Sequence, residues 1–276
     1  MKISLFNKFG AQNSQPVFQA FAQGMQKFGN TIVEHDLSAD VAVIWSMLWS
    51  SRMKNNQSVY HMFRTAGKPV VVLEVGCLDR GSTWKVGING LSRGCYEWSK
   101  QVKRPVFGIS FKDYAIGDQI MICSQNPNSE QWRGQPNMDI WIEQTINAIR
   151  CHSDRQIIVR SHPRYPVKLR KNYVGVKLDQ PNFQSYDLEF LHSLNSIRAV
   201  INHNSNPGIV AALSGLPVIV DHTSLAWPIT QQFENIENPK QIDRTHWYES
   251  IRQTEYTCEE LAQGLEPLHN YLAPML

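Results

Sequence analysis

Ile157-Ile158-Val159-Arg160-Ser161-His162-Pro163-Arg164 is an apolar run that turns polar at its fourth residue. A short run of β-branched residues reads as a strand buried on both faces, the kind that makes a parallel sheet between helical layers. Its far end carries Arg160, Ser161, His162 and Arg164, and open α/β sheets bind ligands beyond the carboxyl ends of their strands. A guanidinium offers a bidentate fork to phosphate oxygens and an imidazole a further donor, so a pyrophosphate suits this end. A plain surface turn made by Pro163 and Pro166 is the alternative.

A second strand of this kind, Ala199-Val200-Ile201-Asn202, runs into His203-Asn204-Ser205-Asn206-Pro207-Gly208. Pro207 opens a helix that extends to Ser214, and Gly208 lets a ligand approach backbone amides. The unpaired N–H groups and dipole of such a helix start attract phosphate, although N-capping by Ser205 or Asn206 accounts for the same residues. Two anion-suited strand ends in one sheet predict a phosphate site built from Arg160, His162, Arg164, Asn204, Ser205, Asn206 and Gly208.

The rest of the chain repeats the grammar. Lys2–Phe6, Val41–Trp45 and Val70–Glu74 read as buried strands, with helices from Pro16 to Met25 and near Asn55–Thr65. Gln119–Cys123, Tyr173–Val176 and Pro217–Val220 are further strands, and Met138–Arg150 is an amphipathic helix. Val75–Phe111, rich in Gly, Arg and aromatics, reads as a long loop. Thr257–Tyr271 reads as one closing helix, with Thr257 and Glu260 spaced as a capping box. Strands alternating with helices predict an α/β fold of two Rossmann-like domains. The expected divisions are residues 1–116, residues 117–255, and a final helix over 256–276 that packs back on the first domain.

At 276 residues, 42% hydrophobic and 18% charged, the chain has the composition of a globular protein. The first residues are too short in apolar run for a signal peptide, and no stretch is long enough to span a membrane, so a cytoplasmic location is expected. Five scattered cysteines without a C-x-x-C spacing argue against a disulfide framework or zinc knuckle. Residues 1–172 hold 22 Lys/Arg against 12 Asp/Glu, while residues 173–276 hold 5 against 12. Such a basic first part suits a polyanion or a phosphorylated small molecule, or simply a solvated surface.

The strand-His-Pro element, the Asn-Ser-Asn helix start and the strand Ala212-Leu213-Ser214-Gly215-Leu216-Pro217-Val218-Ile219-Val220 together resemble the donor-binding domain of GT-B glycosyltransferases, including the capsule-polysaccharide type. That similarity covers roughly residues 117–222. Lys68–Gly76 with Thr83–Gly90 resembles bacteriophage glycosyltransferase-like proteins along most of the chain. The resemblance implies a GT-B-like pair of domains facing a central cleft, with no tightly bound cofactor and a UDP-sugar donor whose diphosphate lies between the two strand ends. It also implies that Asp221 and His222 meet ribose or sugar hydroxyls, and that a hydroxylated pyrimidine in DNA is the acceptor. Asp187-Leu188-Glu189 is a poor substitute for an Asp-x-Asp metal motif, so metal-independent transfer is expected, with inversion the leading outcome and retention the alternative.

Inverting transfer needs a general base, for which Glu74 at a strand end leads and Asp79 follows; pairing of Glu74 with Arg80 or Lys85 is its structural alternative. Trp45, Trp49 and Trp84 with Arg52, Arg80 and Lys85 suit stacking on an extruded base and binding of its phosphates, whereas core packing suits the same tryptophans. Rival readings are a transferase acting on a surface glycan or lipid-linked sugar, a non-catalytic nucleotide-binding module, and an epimerase using the same donors.

Overall fold

The computed structural model describes residues 1–100, 102, 112–113, 117–182, 190 and 193–276. The chain divides into two compact units, one of Met1–Gly108, Asn128–Glu130 and Glu249–Leu276, the other of Ile109–Pro127 and Gln131–Tyr248. Among the described residues no helix is long and apolar enough to cross a membrane.

The first unit is built on a six-stranded sheet. Strands β1 (Lys2–Leu5), β2 (Thr31–Glu34), β3 (Val41–Trp45) and β4 (Val70–Val75) run parallel, and β5 (Trp84–Ile88) and β11 (Glu255–Tyr256) extend the sheet antiparallel in the order β11-β5-β4-β3-β1-β2. Every residue of β3, Val-Ala-Val-Ile-Trp, is buried, as its unbroken apolar run requires of a strand covered on both faces. Helix α1 (Gln15–Gln26) lays Val17, Phe18, Phe21 and Met25 on one face of this sheet, and α2 (Lys54–Thr65) buries Val59, Tyr60 and Phe63.

Two expectations change here. The stretch 75–111, read as loop, contains β5 and helix α3 (Arg93–Ser99), which the Gly-rich sequence hid because Gly87 and Gly94 sit where a Cβ would strike backbone at 1.9 and 2.3 Å. The single closing helix is two, α7 (Cys258–Gln263) and α8 (Glu266–Leu272), broken at Gly264, whose φ of 100° no helix accommodates. The capping box does form, with Thr257 Oγ1 accepting from Glu260 N–H at 3.1 Å and Glu260 Oε2 accepting from Thr257 N–H at 2.8 Å. Leu261, Leu268 and Leu272 of these helices enter the same core as Phe18 and Phe21.

The second unit is a five-stranded, all-parallel sheet of β6 (Gln119–Cys123), β7 (Ile157–Arg160), β8 (Val176–Asp179), β9 (Ile197–Asn202) and β10 (Val218–Val220), in the order β10-β9-β6-β7-β8. Strand β8 lies three residues beyond the expected Tyr173–Val176, because it pairs Val176–Asp179 in register with Ile157–Arg160. Helix α4 (Met138–Arg150) presents Ile142, Ile146 and Ile149 to Ile120, Ile122, Ile157, Val159, Ala199 and Ile201. Helix α5 (Asn206–Leu213) lies between β9 and β10 in the chain, and α6 (Thr245–Arg252) starts in this unit.

Candidate functional site

In the second sheet the chain steps outward from β6 to β7 and β8 on one side, then returns to place β9 and β10 on the other. The order therefore reverses between β6 and β9, and a crevice opens at the carboxyl ends of parallel strands where their connections part in opposite directions. Strands β7 and β9 flank β6, so their tips stand about 10 Å apart, within reach of one nucleotide phosphate group.

Side chains tie these tips together. Ser124, directly after β6, accepts the His162 N–H on its Oγ at 2.7 Å, which fastens the β7 tip to the β6 tip. Gln125 Oε1 accepts the Asn204 N–H at 3.4 Å, linking β6 to β9. Asn204 Nδ2 donates to Thr223 Oγ1 at 2.8 Å, and Thr223 Oγ1 donates to Asp221 Oδ1 at 2.6 Å, reaching the β10 tip. Ser124, Gln125 and Asn126 are buried, as are His203 and Asn204. Sequence reasoning missed Ser124, Gln125, Asn126, His203 and Thr223; three consecutive polar residues after the strand Gln119–Cys123 were the available signal, the same signal that drew attention to Ser161–Arg164.

His162 is half-buried, and burial together with the charge of Arg164 pushes its pKa down to about 4. Its Nδ1 accepts the Arg164 N–H at 3.2 Å, so the neutral ring carries its proton on Nε2 and has that N–H to offer as a donor. Because the folded state resists protonation, the unfolded chain binds the proton first as pH falls, and the stability this group contributes is full above about 6.5 and lost on the way down to about 4. Denaturant titrations across that window should show a fall of up to about 3 kcal/mol in wild type that is absent in His162→Gln. An equal fall in the variant would assign the titration elsewhere.

Helix α5 starts without a side-chain cap. Ser205, at the capping position and half-buried, instead takes Asn202 Nδ2 on its carbonyl and on its Oγ, both at 2.9 Å. The start of α5 thus presents its dipole at the strand edge beside Asn204. Gly208 has a different reason from the expected one: a Cβ there would lie 2.3 Å from Asn202 Oδ1 and 3.1 Å from Val220 Cγ1, so the glycine lets α5 pack against β9 and β10 and does not open a path to backbone amides.

Arg160 also needs correction. Its buried guanidinium pairs with Asp179, its partner in the β7–β8 register, and lies 5.8 Å from the Phe190 ring centroid. A cation already countered inside the sheet is not a clamp for incoming phosphate. Arg164 is exposed two residues past His162, and Asn206 is half-buried at the first position of α5. Asp221 is partly exposed; burial opposes its charge, but the Thr223 hydroxyl and amide and the nearby His203 and His222 hold its pKa below the ordinary value. His222 is exposed beside it, with Nδ1 3.2 Å from Asp221 Oδ1. Among the described residues no three His, Cys, Asp or Glu gather to hold a metal, and Asp187 and Glu189 lie outside those residues.

In the first unit, Glu74 sits at the carboxyl end of β4, half-buried, opposite Lys85 in the β4–β5 register, with Oε1 accepting the Val75 N–H at 2.8 Å. Asp79 is exposed in the turn that follows, where its carbonyl accepts from the Ser82 and Thr83 N–H groups. Arg52 and Arg80 are exposed. The other expected acceptor contacts are corrected by burial. Trp45, 1% exposed, packs between Phe18 and Trp84 with ring centroids 6.3 and 5.8 Å away, and Trp84 is in the same core. Trp49 is buried and donates Nε1–H to Glu130 Oε2 at 2.7 Å. Lys85, 4% exposed, lies beside Glu255, Cys77 and Cys95; burial opposes its charge, and Cys77 and Glu255 outweigh burial to raise its pKa. Indoles and an ammonium enclosed in this way have no face to offer a base or its phosphate.

No family model matches the sequence, and no curated protein matches it. Among solved structures, KpsC of Thermosulfurimonas dismutans, described as a beta Kdo 2,4 transferase, matches with a TM-score of 0.59 at 15% identity, covering 99% of this chain and 98% of that one. The fold is GT-B-like. A second KpsC structure of the same organism, described as a beta Kdo 2,7 transferase, matches with a TM-score of 0.46 at 12% identity over 95% of this chain and 97% of that one. The first of these likenesses bears on architecture alone; the two units are each built on parallel strands with an order reversal, between β1 and β3 in the first and between β6 and β9 in the second.

Proposed function

We propose that this chain is a glycosyltransferase whose nucleotide-sugar donor binds at the carboxyl edge of the second sheet. The observation that carries this reading is the gathering of four strand tips at the order reversal, joined through Ser124, Gln125, Asn204 and Thr223, around a helix start without a side-chain cap. A leaving phosphate gains charge as the sugar departs, and donors already aimed at it lower the barrier without reorganising. His162 Nε2–H, the α5 terminus and Arg164 form that donor set, and Asp221 is an acceptor for hydroxyls. UDP is the first nucleotide to test. For inverting transfer Glu74 takes the proton of the acceptor hydroxyl, with Asp79 the alternative base.

In this reading the acceptor is a carbohydrate hydroxyl. The DNA reading leaned partly on Trp45, Trp49, Trp84 and Lys85, all of which are buried; Arg52 and Arg80 stay exposed, and the basic excess of residues 1–172 stands. The likeness to KpsC, described as a Kdo transferase, adds sugar transfer as the activity of one protein with this architecture.

The test is incubation with a panel of nucleotide-activated sugars, Kdo included, and two acceptor sets, oligosaccharides and hydroxymethylated DNA, followed by mass spectrometry of both. Transfer to oligosaccharide is expected, and mass added to DNA alone would restore the other acceptor. His162→Ala should weaken binding of the donor nucleotide by about 1–3 kcal/mol, as for a hydrogen bond to a charged group; unchanged affinity in titration calorimetry would remove His162 from the site.

A further inference from the structure

His203 is buried to 5% exposure, and neither of its ring nitrogens has a hydrogen-bond partner among the described residues. Side chains alternate along a strand, so His203 continues the face of Ala199 and Ile201, the face that packs on α4, and Asp221 continues the face of Ile219 in β10. Both therefore stand on the same face at the carboxyl edge, with His203 Nε2 3.9 Å from Asp221 Oδ1, too far for a hydrogen bond. The Trp132 ring packs against the His203 ring, with centroids 5.1 Å apart and planes at 67°. Immediately after His203, Asn204 is also buried and its Oδ1 has no hydrogen-bond partner.

Buried polar atoms are almost always paired, since each one left unpaired bears the full cost of its lost hydration. A histidine with two such nitrogens at the one edge where the fold binds ligands therefore points to a partner that arrives with the ligand. That partner has to bridge a ring nitrogen and a carboxylate standing about one hydroxyl group's width apart. Neighbouring hydroxyls on a sugar ring fit: one O–H donates to Asp221 Oδ1, and the other exchanges a hydrogen bond with the His203 ring.

We infer that His203 and Asp221 form a subsite for the vicinal hydroxyls of the bound donor, with His203 the residue that discriminates for them. This rests on the reading of the second sheet's edge as the donor site. Vicinal hydroxyls occur on the nucleotide's ribose and on the transferred sugar, and the two sources are separable by experiment.

The variant is His203→Phe, which keeps a ring against Trp132 and removes both nitrogens. Calorimetry measures affinity for UDP, GDP, ADP, CDP and CMP, then for the 2′-deoxy form of whichever binds best, and then for its sugar-linked form. Wild type should prefer the ribonucleotide to the deoxyribonucleotide by roughly tenfold, and His203→Phe should bring that ratio near one; this places the hydroxyls on the ribose. If the ratio is one in both proteins but His203→Phe abolishes the gain in affinity conferred by the linked sugar, the hydroxyls belong to that sugar and the subsite stands. The melting temperature of the ligand-free variant should equal or exceed that of wild type, since no hydrogen bond within the protein is lost. Unaltered ratios in both comparisons, or a variant that melts well below wild type, would overturn the subsite while leaving the donor reading intact. Failure of wild type to bind any of the nucleotides would overturn both.

Discussion

Replacing Glu255 with alanine should cost about 3–5 kcal/mol of stability, the range found when one member of a buried ion pair is removed. Glu255 is 2% exposed in the two-residue strand β11, directly opposite Lys85 of β5. Its Oε1 accepts the Cys77 N–H at 2.7 Å and the Cys77 thiol at 3.2 Å, and its Oε2 accepts the Leu78 N–H at 3.0 Å and the Thr83 hydroxyl at 2.7 Å. One carboxylate thus accepts from Cys77, Leu78 and Thr83 in the turn between β4 and β5 and balances the buried Lys85 charge. Alanine leaves two amides, a hydroxyl and an ammonium together without it. Glutamine preserves the shape but turns an amide group toward N–H donors, so it should lose less than alanine and more than a surface change. Urea unfolding of the three proteins measures the order, and a loss under about 1 kcal/mol in the alanine variant, the size of an exposed ion pair, would show that the turn holds by other means. Asp79 and Arg80 ride on this turn, so the same variant should raise proteolytic nicking between Gly76 and Thr83.

Trp45→Ala should destabilise by a similar amount, about 3–5 kcal/mol, because a large buried aromatic leaves a cavity that its neighbours fill only in part. Trp45 lies among Phe18, Trp84, Val43 and Leu73 in the core beneath β3. A tryptophan that stacks on a flipped base would behave in the opposite way, sparing stability and reducing affinity for DNA. Thermal unfolding and DNA binding of the same variant separate the two roles: the account expects a large fall in melting temperature, and a variant of wild-type stability that no longer retains DNA would reverse the assignment.

The contrast between Trp45 and His162 shows where the sequence was readable. Strands β3, β4, β6 and β7 and helix α4 announce themselves because a strand covered on both faces must be apolar without interruption, and a helix on such a sheet must repeat its apolar residues at helical spacing. The polar tips at Ser161–Arg164 and His203–Asn206 are legible for the same reason, as breaks in those runs. Burial of an individual side chain is not. Trp45, Trp84 and Lys85 fall at a strand end or within a Gly-rich stretch, and nothing local distinguishes a core indole from an exposed one. The antiparallel pair β5 and β11 joins residues 84–88 to residues 255–256, a contact set by tertiary register that no local pattern carries. Arg160 has the composition of a phosphate ligand, and only the register of β7 against β8 reveals that Asp179 already meets it. Gly208 has the composition of a ligand-approach glycine, and only the position of Asn202 Oδ1 gives its true reason.

In the proposed reading the tips of β6, β7, β9 and β10 hold the donor nucleotide. Amide hydrogen exchange of the whole protein, with and without a saturating amount of the nucleotide that binds best in the calorimetric panel, tests it most directly. Slowed exchange is expected, confined to peptides spanning 124–126, 162–165, 203–208 and 221–224. Protection that falls instead around Arg52 and Arg80, with those four segments unchanged, would contradict it.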